Sequence, residues 1–359
     1  MAAIDVILPV RNGIQFLGEA ISSVQKQTFS DWRLLVLDHG SVDGSLELTQ
    51  KCAEKDQRIE VFSSPNADGI AELRNFGLAR CDCRYLMVQD ADDISFPYRM
   101  AEMIGAFDRD RNLLAIGGDG VLIDSTGVET GYLKVLTDSR AIAAATFFYN
   151  PLLHPAITAN FPALKRLGAA YGSDIFGSVP AGERITVKRL AEDYILTGQL
   201  SLLGRCANLP LPLIKYRRHG ASVGIANPAE QVEYSLQISR YLARSFCLVK
   251  ELEIFDPGPF CNHADHVFDF GLKDYSEQFA QMSAVLRNGL GTSDELEREL
   301  EFRWVLATRN SGRMAGRYIN FQFNRGIVPS ERRTVRNWLL RRLRNGKYVY
   351  RGARPESDR

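Results

Sequence analysis

The chain has 359 residues, 45% hydrophobic and 24% charged, with a net charge of +1. This is a globular composition, long enough for one large α/β domain with an appendage or for two domains. A near-neutral body lacks the broad basic face that nucleic-acid binding needs, so no nucleic-acid partner is expected. The charge is uneven only at the end, where Glu331 to Arg359 carries ten Lys/Arg against three Asp/Glu.

In chain order, Ile4–Val10 reads as an apolar strand, and Phe16, Leu17, Ala20, Ile21 and Val24 give Ile14–Gln27 helical spacing. Trp32–Leu37 is a second strand, followed by a helix opening near Ser41-Val42-Asp43 with a cap-like start. Ile59–Phe62 and Leu86–Val88 are the third and fourth strands, with helices at about 70–79 and at 97–107, and Leu113–Ile116 is a fifth. Such alternation implies parallel pairing in a doubly wound sheet with helices on both faces. Val121–Ile123 and Tyr132–Val135 flank a turn at Ser125-Thr126-Gly127, a hairpin that would make the sheet mixed. Residues 153–193 read as irregular, 187–203 as helical, Ala207–Leu209 and Leu213–Tyr216 as strands, and everything from Pro228 onward as helices.

The six cysteines (52, 81, 83, 206, 247, 261) form no CxxC pair, and Met1-Ala2-Ala3 runs straight into a strand pattern. No apolar run approaches the roughly 20 residues that span a bilayer. A reduced cytoplasmic setting is expected, with peripheral contact at the inner face of a membrane as an option.

Residues 86–93, Leu-Met-Val-Gln-Asp-Ala-Asp-Asp, end an apolar run in three carboxylates. A strand cannot carry Asp90, Asp92 and Asp93 into a core without large desolvation and repulsion costs. At the carboxyl end of a strand they would stand at the ligand crevice of an open sheet, where a divalent cation offsets their repulsion. A solvated acidic turn is the plain alternative. The same edge would hold Pro9, Val10 and Arg11, and Asp38-His39-Gly40-Ser41.

The order of Ile-Leu-Pro-Val-Arg-Asn, Gln27-Thr28-Phe29, Asp38-x-Gly-Ser-x-Asp43, Arg74-Asn75-x-Gly77, Asp90-Ala-Asp92-Asp93, Glu192-Asp193-Tyr194 and Tyr216-Arg-Arg-His219-Gly-Ala-Ser222 resembles the family-2 glycosyltransferases over residues 3–225. The resemblance implies a GT-A fold: an α/β, Rossmann-like mixed sheet with a C-terminal helical region. It places a glycosyltransferase domain at 1–225, with a nucleotide-binding half (1–118) and an acceptor-side half (119–225), and a helical region at 226–359.

The implied activity is inverting, metal-dependent transfer from a nucleotide-sugar, UDP-sugars favoured, to a hydroxyl of a glycan or lipid-linked acceptor in surface polysaccharide or glycolipid synthesis. The cofactor would be Mn²⁺ or Mg²⁺. By resemblance, Asp92, Asp93 and His219 go to the metal. Pro9, Val10, Arg11, Asp38, His39, Arg74, Asp90 and Asp92 go to the nucleotide-sugar. Asp193 is the base that takes the acceptor's proton, and Glu192 orients the acceptor or supports the base.

For Arg74 the alternative is a helix-surface ion pair, for Glu192-Asp193 a dipole-favoured first turn, and for His219 a loop histidine. His154 stands where the family begins its acceptor side, with a structural role as the alternative. His39 departs from the family's usual second Asp, and a neutral imidazole accepts through one ring nitrogen only. A noncatalytic nucleotide-sugar sensor and a nucleotidyltransferase are the competing functions. Cys261-Asn-His263-Ala-Asp265-His266 has no second ligand cluster for zinc and reads better as an exposed helix start. The basic stretch 331–347, with Trp338, Leu339, Leu340 and Leu343 at helical spacing, either meets an anionic lipid surface or docks on the domain.

Overall fold

A computed structural model describes residues 2–220, 228–262, 275–308, 310–326 and 328–343. Four strands, β1 (Ile4–Val10), β2 (Trp32–Asp38), β3 (Ile59–Ser63) and β4 (Tyr85–Val88), pair in parallel in the spatial order β3-β2-β1-β4. Their crossovers are α1 (Ile14–Gln25), α2 (Ser45–Lys55) and α3 (Ile70–Leu78). Both faces of β1 are covered, so its run is continuously apolar rather than alternating. Val6, Leu8 and Val10 pack toward α1 and toward Met100, Met103 and Phe107 of α4 (Arg99–Arg109). Ile7, with Leu35, Leu37, Leu86 and Val88, faces the side of α3.

Beyond β4 the sheet is mixed. The two-residue β5 (Ile94–Ser95) lies at its far edge, and β6 (Ala115–Ile123) turns at Asp124–Gly127 into β7 (Glu129–Leu133), the expected hairpin. β6 is one strand where the sequence suggested two short runs. Gly117, Gly118 and Gly120 interrupt its apolar pattern, because Asn208, Leu213 and Leu153 approach too closely for side chains there. After α5 (Ser139–Ala145) comes an unanticipated strand, β8 (Thr158–Asn160), antiparallel to both β4 and β6 and inserted between them. The doubly parallel sheet expected across residues 86–116 is therefore broken at β8. Next come α6 (Phe161–Arg166) and α7 (Glu192–Leu202). The last strand, β9 (Cys206–Arg217), runs parallel to β6 through a register shift at Asp119, joining the two runs read at 207–216.

Two helix starts differ from expectation. α2 begins at Ser45, not near Ser41: the Ser41 hydroxyl is taken by Asn12 N of the loop before α1, and the Asp43 carboxylate accepts from both Ile14 N and Ser45 N. α7 begins at Glu192, not at Val187. The preceding residues dock instead, with Lys188 O accepting from Ala71 N and Val187 N donating to Gly172 O.

The C-terminal helices are α8 (Pro228–Lys250), α9 (Ser276–Leu290), α10 (Asp294–Ala307), α11 (Ser311–Arg325) and α12 (Pro329–Leu343). The core formed by α8, α9 and α10 is continuous with α5 and α7 through Phe147, Tyr194, Ile195, Leu242 and Phe246. The helices thus brace α5 and α7 directly. In α12, Val335 and Trp338 are buried against Phe302, Val305, Met314 and Phe321, and Glu331 pairs with Arg298 (2.8 Å). Of the two alternatives for this stretch, lipid contact or docking on the domain, Trp338 follows the second: it is 2% exposed and docked on the protein, while Leu340 is 44% exposed. Among the described residues no helix is long and apolar enough to cross a membrane. Cys261 is buried beside Ser239; His263, Asp265 and His266 lie outside the described residues, as does Ser222.

Candidate active site

The carboxyl ends of β1, β2 and β4 share one edge of the sheet, with Val10 opposite Asp38 and Ile7 opposite Val88. At that edge the loops after β1 and β2 hold each other. Asn12 N donates to Ser41 Oγ, Gly13 N to Ser45 Oγ and Ile14 N to Asp43 Oδ2, each at 3.0 Å. In return Asn12 Oδ1 accepts from Val42 N at 2.9 Å. α1 has no cap of its own, so its free N–H groups are satisfied across the loops.

Pro9 and Val10 are buried at the strand end and Arg11 is exposed at the loop mouth. Asp38 is fully buried, and its carboxylate accepts from Gly40 N (3.0 Å) and Ser41 N (3.2 Å), so it shapes the loop. His39 Nε2 donates to Ala67 O at 3.0 Å, which leaves Nδ1 as the acceptor in the neutral ring.

The acidic turn separates its three carboxylates. Asp90 accepts from Arg74 Nη2 at 3.1 Å. Asp92 Oδ2 lies 2.9 Å from His219 Nε2, just past the end of β9. Asp93 is 1% exposed, with Oδ1 accepting from Arg217 N at 2.8 Å and Oδ2 without a partner. Burial, with Asp92 and Asp90 adding to it, pushes the Asp93 carboxyl well above the usual range. Of the three residues assigned to metal, Asp92 and His219 come together, while Asp93 turns inward and ties the turn to β9.

Arg217 was overlooked in its own motif. Besides Asp93 it donates from Nε to Asp92 O at 2.9 Å, pairs with Glu19 on α1, and lies over the Phe16 ring at 4.4 Å. Phe16 also packs on His219, ring centroids 4.9 Å apart.

Arg74, 6% exposed on α3, joins this turn to α7. One guanidinium nitrogen takes Asp90 and the other Glu192 Oε1, so the surface-pair alternative fails. Burial opposes the charge of Arg74, but Glu192 and Asp90 more than offset it and its pKa is raised. Burial pushes Glu192 up to about 7, against the pull of Arg74. Asp193 and Asp90 are raised for the same first reason, with Arg74 again opposing. Tyr171 lies under the guanidinium at 5.4 Å and meets His154 Nε2 through its hydroxyl at 3.1 Å. Burial, then the charges of Arg74 and Arg99, drives His154 well below its ordinary value, which favours the neutral ring.

Asp193 sits in the first turn of α7, entered through Ala191 in the left-handed region (φ 59°). Its Oδ2 accepts from Asn150 Nδ2 at 3.1 Å. Neither Asn150 nor Tyr171 belongs to a motif visible in the sequence; both reach the site by long-range packing.

A family model, Glycosyl transferase family 2, matches residues 5–137. An uncharacterized glycosyltransferase of Haemophilus influenzae is 26% identical over 245 residues, 66% of this chain and 72% of its own length. The glycosyltransferase GlyA of Streptococcus pneumoniae is 28% identical over 206 residues, 56% of this chain but 28% of its own. Over residues 5–137 the chain thus matches the family-2 glycosyltransferase pattern, and the relatives it resembles are glycosyltransferases. In fold it resembles the crystal structure of S. aureus TarS 1–349 in complex with UDP-GlcNAc, with a TM-score of 0.53 at 15% identity over 96% of this chain and 93% of that one. The mixed sheet with its C-terminal helices is the GT-A arrangement expected from sequence.

Proposed function

We propose that this glycosyltransferase inverts the anomeric centre, depends on a divalent cation, and moves a sugar from a nucleotide-diphosphate donor, UDP-sugars favoured, to a hydroxyl of a glycan or lipid-linked acceptor. Surface polysaccharide or glycolipid synthesis is the process that fits such an acceptor. The observation that carries the reading is the bridge of Arg74, which joins the acidic turn at Asp90–Asp93 to Glu192, beside Asp193, at the start of α7.

The donor binds at the edge formed by Pro9, Val10, Arg11, His39 and the acidic turn. His39 with Nε2–H committed to Ala67 offers a lone pair at Nδ1, the acceptor character that the imide N–H of uracil requires. Asp38 supports this loop from beneath, and Arg74 with Asp90 borders the diphosphate.

The carboxylate of Asp92 and the imidazole of His219 are adjacent and partly exposed, at 33% and 17%. Two such donors suit Mn²⁺, or Mg²⁺ less well, and leave coordination positions for phosphate oxygens and water. Among the described residues no group of three ligands is assembled, which fits an ion that is completed by its substrate. Bound there, a cation would supply positive charge against the leaving diphosphate.

Asp193 takes the proton of the acceptor hydroxyl. The oxygen attacks the anomeric carbon, and the bond to the diphosphate breaks with its electron pair leaving on the phosphate oxygen. Glu192 keeps Arg74 in place behind the base.

A thermal-shift panel of nucleoside diphosphates with and without Mn²⁺ tests the donor and the ion together. UDP with Mn²⁺ is expected to stabilise most, and no response to any nucleotide would overturn the reading. Asp193→Asn is expected to lower turnover by about 10²–10⁴-fold while leaving the nucleotide response intact. Near-normal transfer by a folded Asp193→Asn would remove the base assignment.

A further inference from the structure

Asp193 can serve as a base only if its carboxylate is held at one angle and kept ionised in a half-buried setting. The charged groups around it do not do this directly. Glu192 precedes it on α7, Arg74 faces it from α3, Asp90 from the end of β4, Tyr171 from the loop before α7 and Tyr216 from β9. Arg74 directs Nη1 to Glu192 and Nη2 to Asp90. Among the described residues, the side chain that donates to Asp193 is Asn150.

We propose that Asn150 is a positioning residue for Asp193, fixing the carboxylate through Oδ2 before an acceptor arrives. The inference rests on the reading of Asp193 as the base.

The direction of the amide follows from its partners. Leu152 N donates to Asn150 Oδ1 at 3.3 Å, so that atom is the carbonyl oxygen and the NH₂ group is the one at the carboxylate. Thr197 Oγ1, one turn beyond Asp193 on α7, lies 3.0 Å from the same Oδ1 and 2.8 Å from Asp193 O. The threonine thus ties the amide to the helix turn that carries the base. Asn150 is itself rigidly placed, because Phe147 and Phe148 just before it are buried in the helical core. A neutral donor adds no charge to compete for the acceptor's proton, yet it favours the ionised carboxylate. A merely structural amide would hold the chain equally well without affecting that ionisation.

The test is the ionisation of Asp193, read by NMR of protein labelled with ¹³C at aspartate carboxyls, the resonance assigned by its loss in Asp193→Asn. Asn150→Ala is expected to move its midpoint up by about one pH unit, a tenfold change in acid dissociation. Asn150→Gln should recover part of that shift. Nucleoside diphosphate release by Asn150→Ala should fall about tenfold at neutral pH, with the donor KM unchanged and partial recovery as pH rises.

A midpoint within about 0.2 unit of the parent in Asn150→Ala overturns the proposal. Should Asn150→Ala fail to fold, Thr197→Val reads the same link: it frees the amide and is expected to shift the midpoint upward, and no shift overturns the proposal. If Asp193→Asn retains release while Asn150→Ala still moves the midpoint, the base reading falls and the positioning of Asp193 stands.

Discussion

On the proposed donor side of the sheet, the loops after β1 and β2 hold one another through separate hydrogen bonds among Asn12, Ser41, Asp43 and Ser45, the Asp43 carboxylate taking Ile14 N and the Ser45 hydroxyl. On the proposed acceptor side, α7 enters the site through an ionic cluster, Asp90–Arg74–Glu192, in which Arg74 and Glu192 are buried, with Asp193 beside it. Capping hydrogen bonds are individually worth about 1 kcal/mol and fail independently. A buried ionic cluster stands or falls as a unit, because removing one partner strands a charge. The donor loops are therefore tolerant, and the junction with the acceptor side is brittle.

The sharpest way to break this contrast is Arg74→Ala. It leaves the buried Glu192 and the half-buried Asp90 without their cation, and a loss of about 3–5 kcal/mol is expected in denaturant unfolding. A loss below about 1 kcal/mol would mean that water already screens the cluster.

Glu192→Gln gives a smaller effect with a defined pH signature. The folded value of Glu192 is raised to about 7 from an ordinary 4.5. A raised value means that the folded state holds the proton more tightly, so this stabilising contribution is complete below 4.5 and is lost as pH rises to 7. Asp90 and Asp193 are raised as well, and the difference between the parent and Glu192→Gln isolates the share of Glu192. The variant should show a flatter fall in Tm across that window. Parallel curves for the two proteins would show that Glu192 is ionised throughout.

The same contrast governs what could be read from the sequence. The donor side was legible because its working residues sit in short segments at the ends of regular strands, as with Val10-Arg11-Asn12 and Asp90–Asp93. Even there, which carboxylate faces which way was not: Asp38 turned into its own loop onto Gly40 N, and Asp93 turned onto Arg217 of β9, a contact between strands far apart in sequence. On the acceptor side β8 is three residues long and is set by pairing with β4 and β6, not by any local pattern. Glu192-Asp193 was visible as a pair, while Asn150 reaches it from beyond the end of α5 and Tyr171 is held beside it by Asn75 of α3. The basic α12 showed the right periodicity, but periodicity could not tell a lipid surface from the apolar side chains of α10 and α11.

Ser45→Ala probes the donor side and should have the smallest effect. Ser45 is fully buried; its hydroxyl accepts from Gly13 N at 3.0 Å and donates to Asp43 Oδ1 at 2.6 Å. Alanine removes both bonds and leaves the Gly13 N–H without its partner at the start of α1. The expected cost is about 1–2 kcal/mol, which in a chain of this size lowers Tm by only a few degrees. Because Asn12–Ser41 and Ile14–Asp43 persist, the loops stay joined and the response to UDP should weaken less than tenfold, with the Asp193 midpoint unmoved. A collapse of nucleotide binding on loss of this one hydroxyl would show that the donor loops, too, act as a single unit, and that the contrast with the ionic junction is one of chemistry but not of cooperativity.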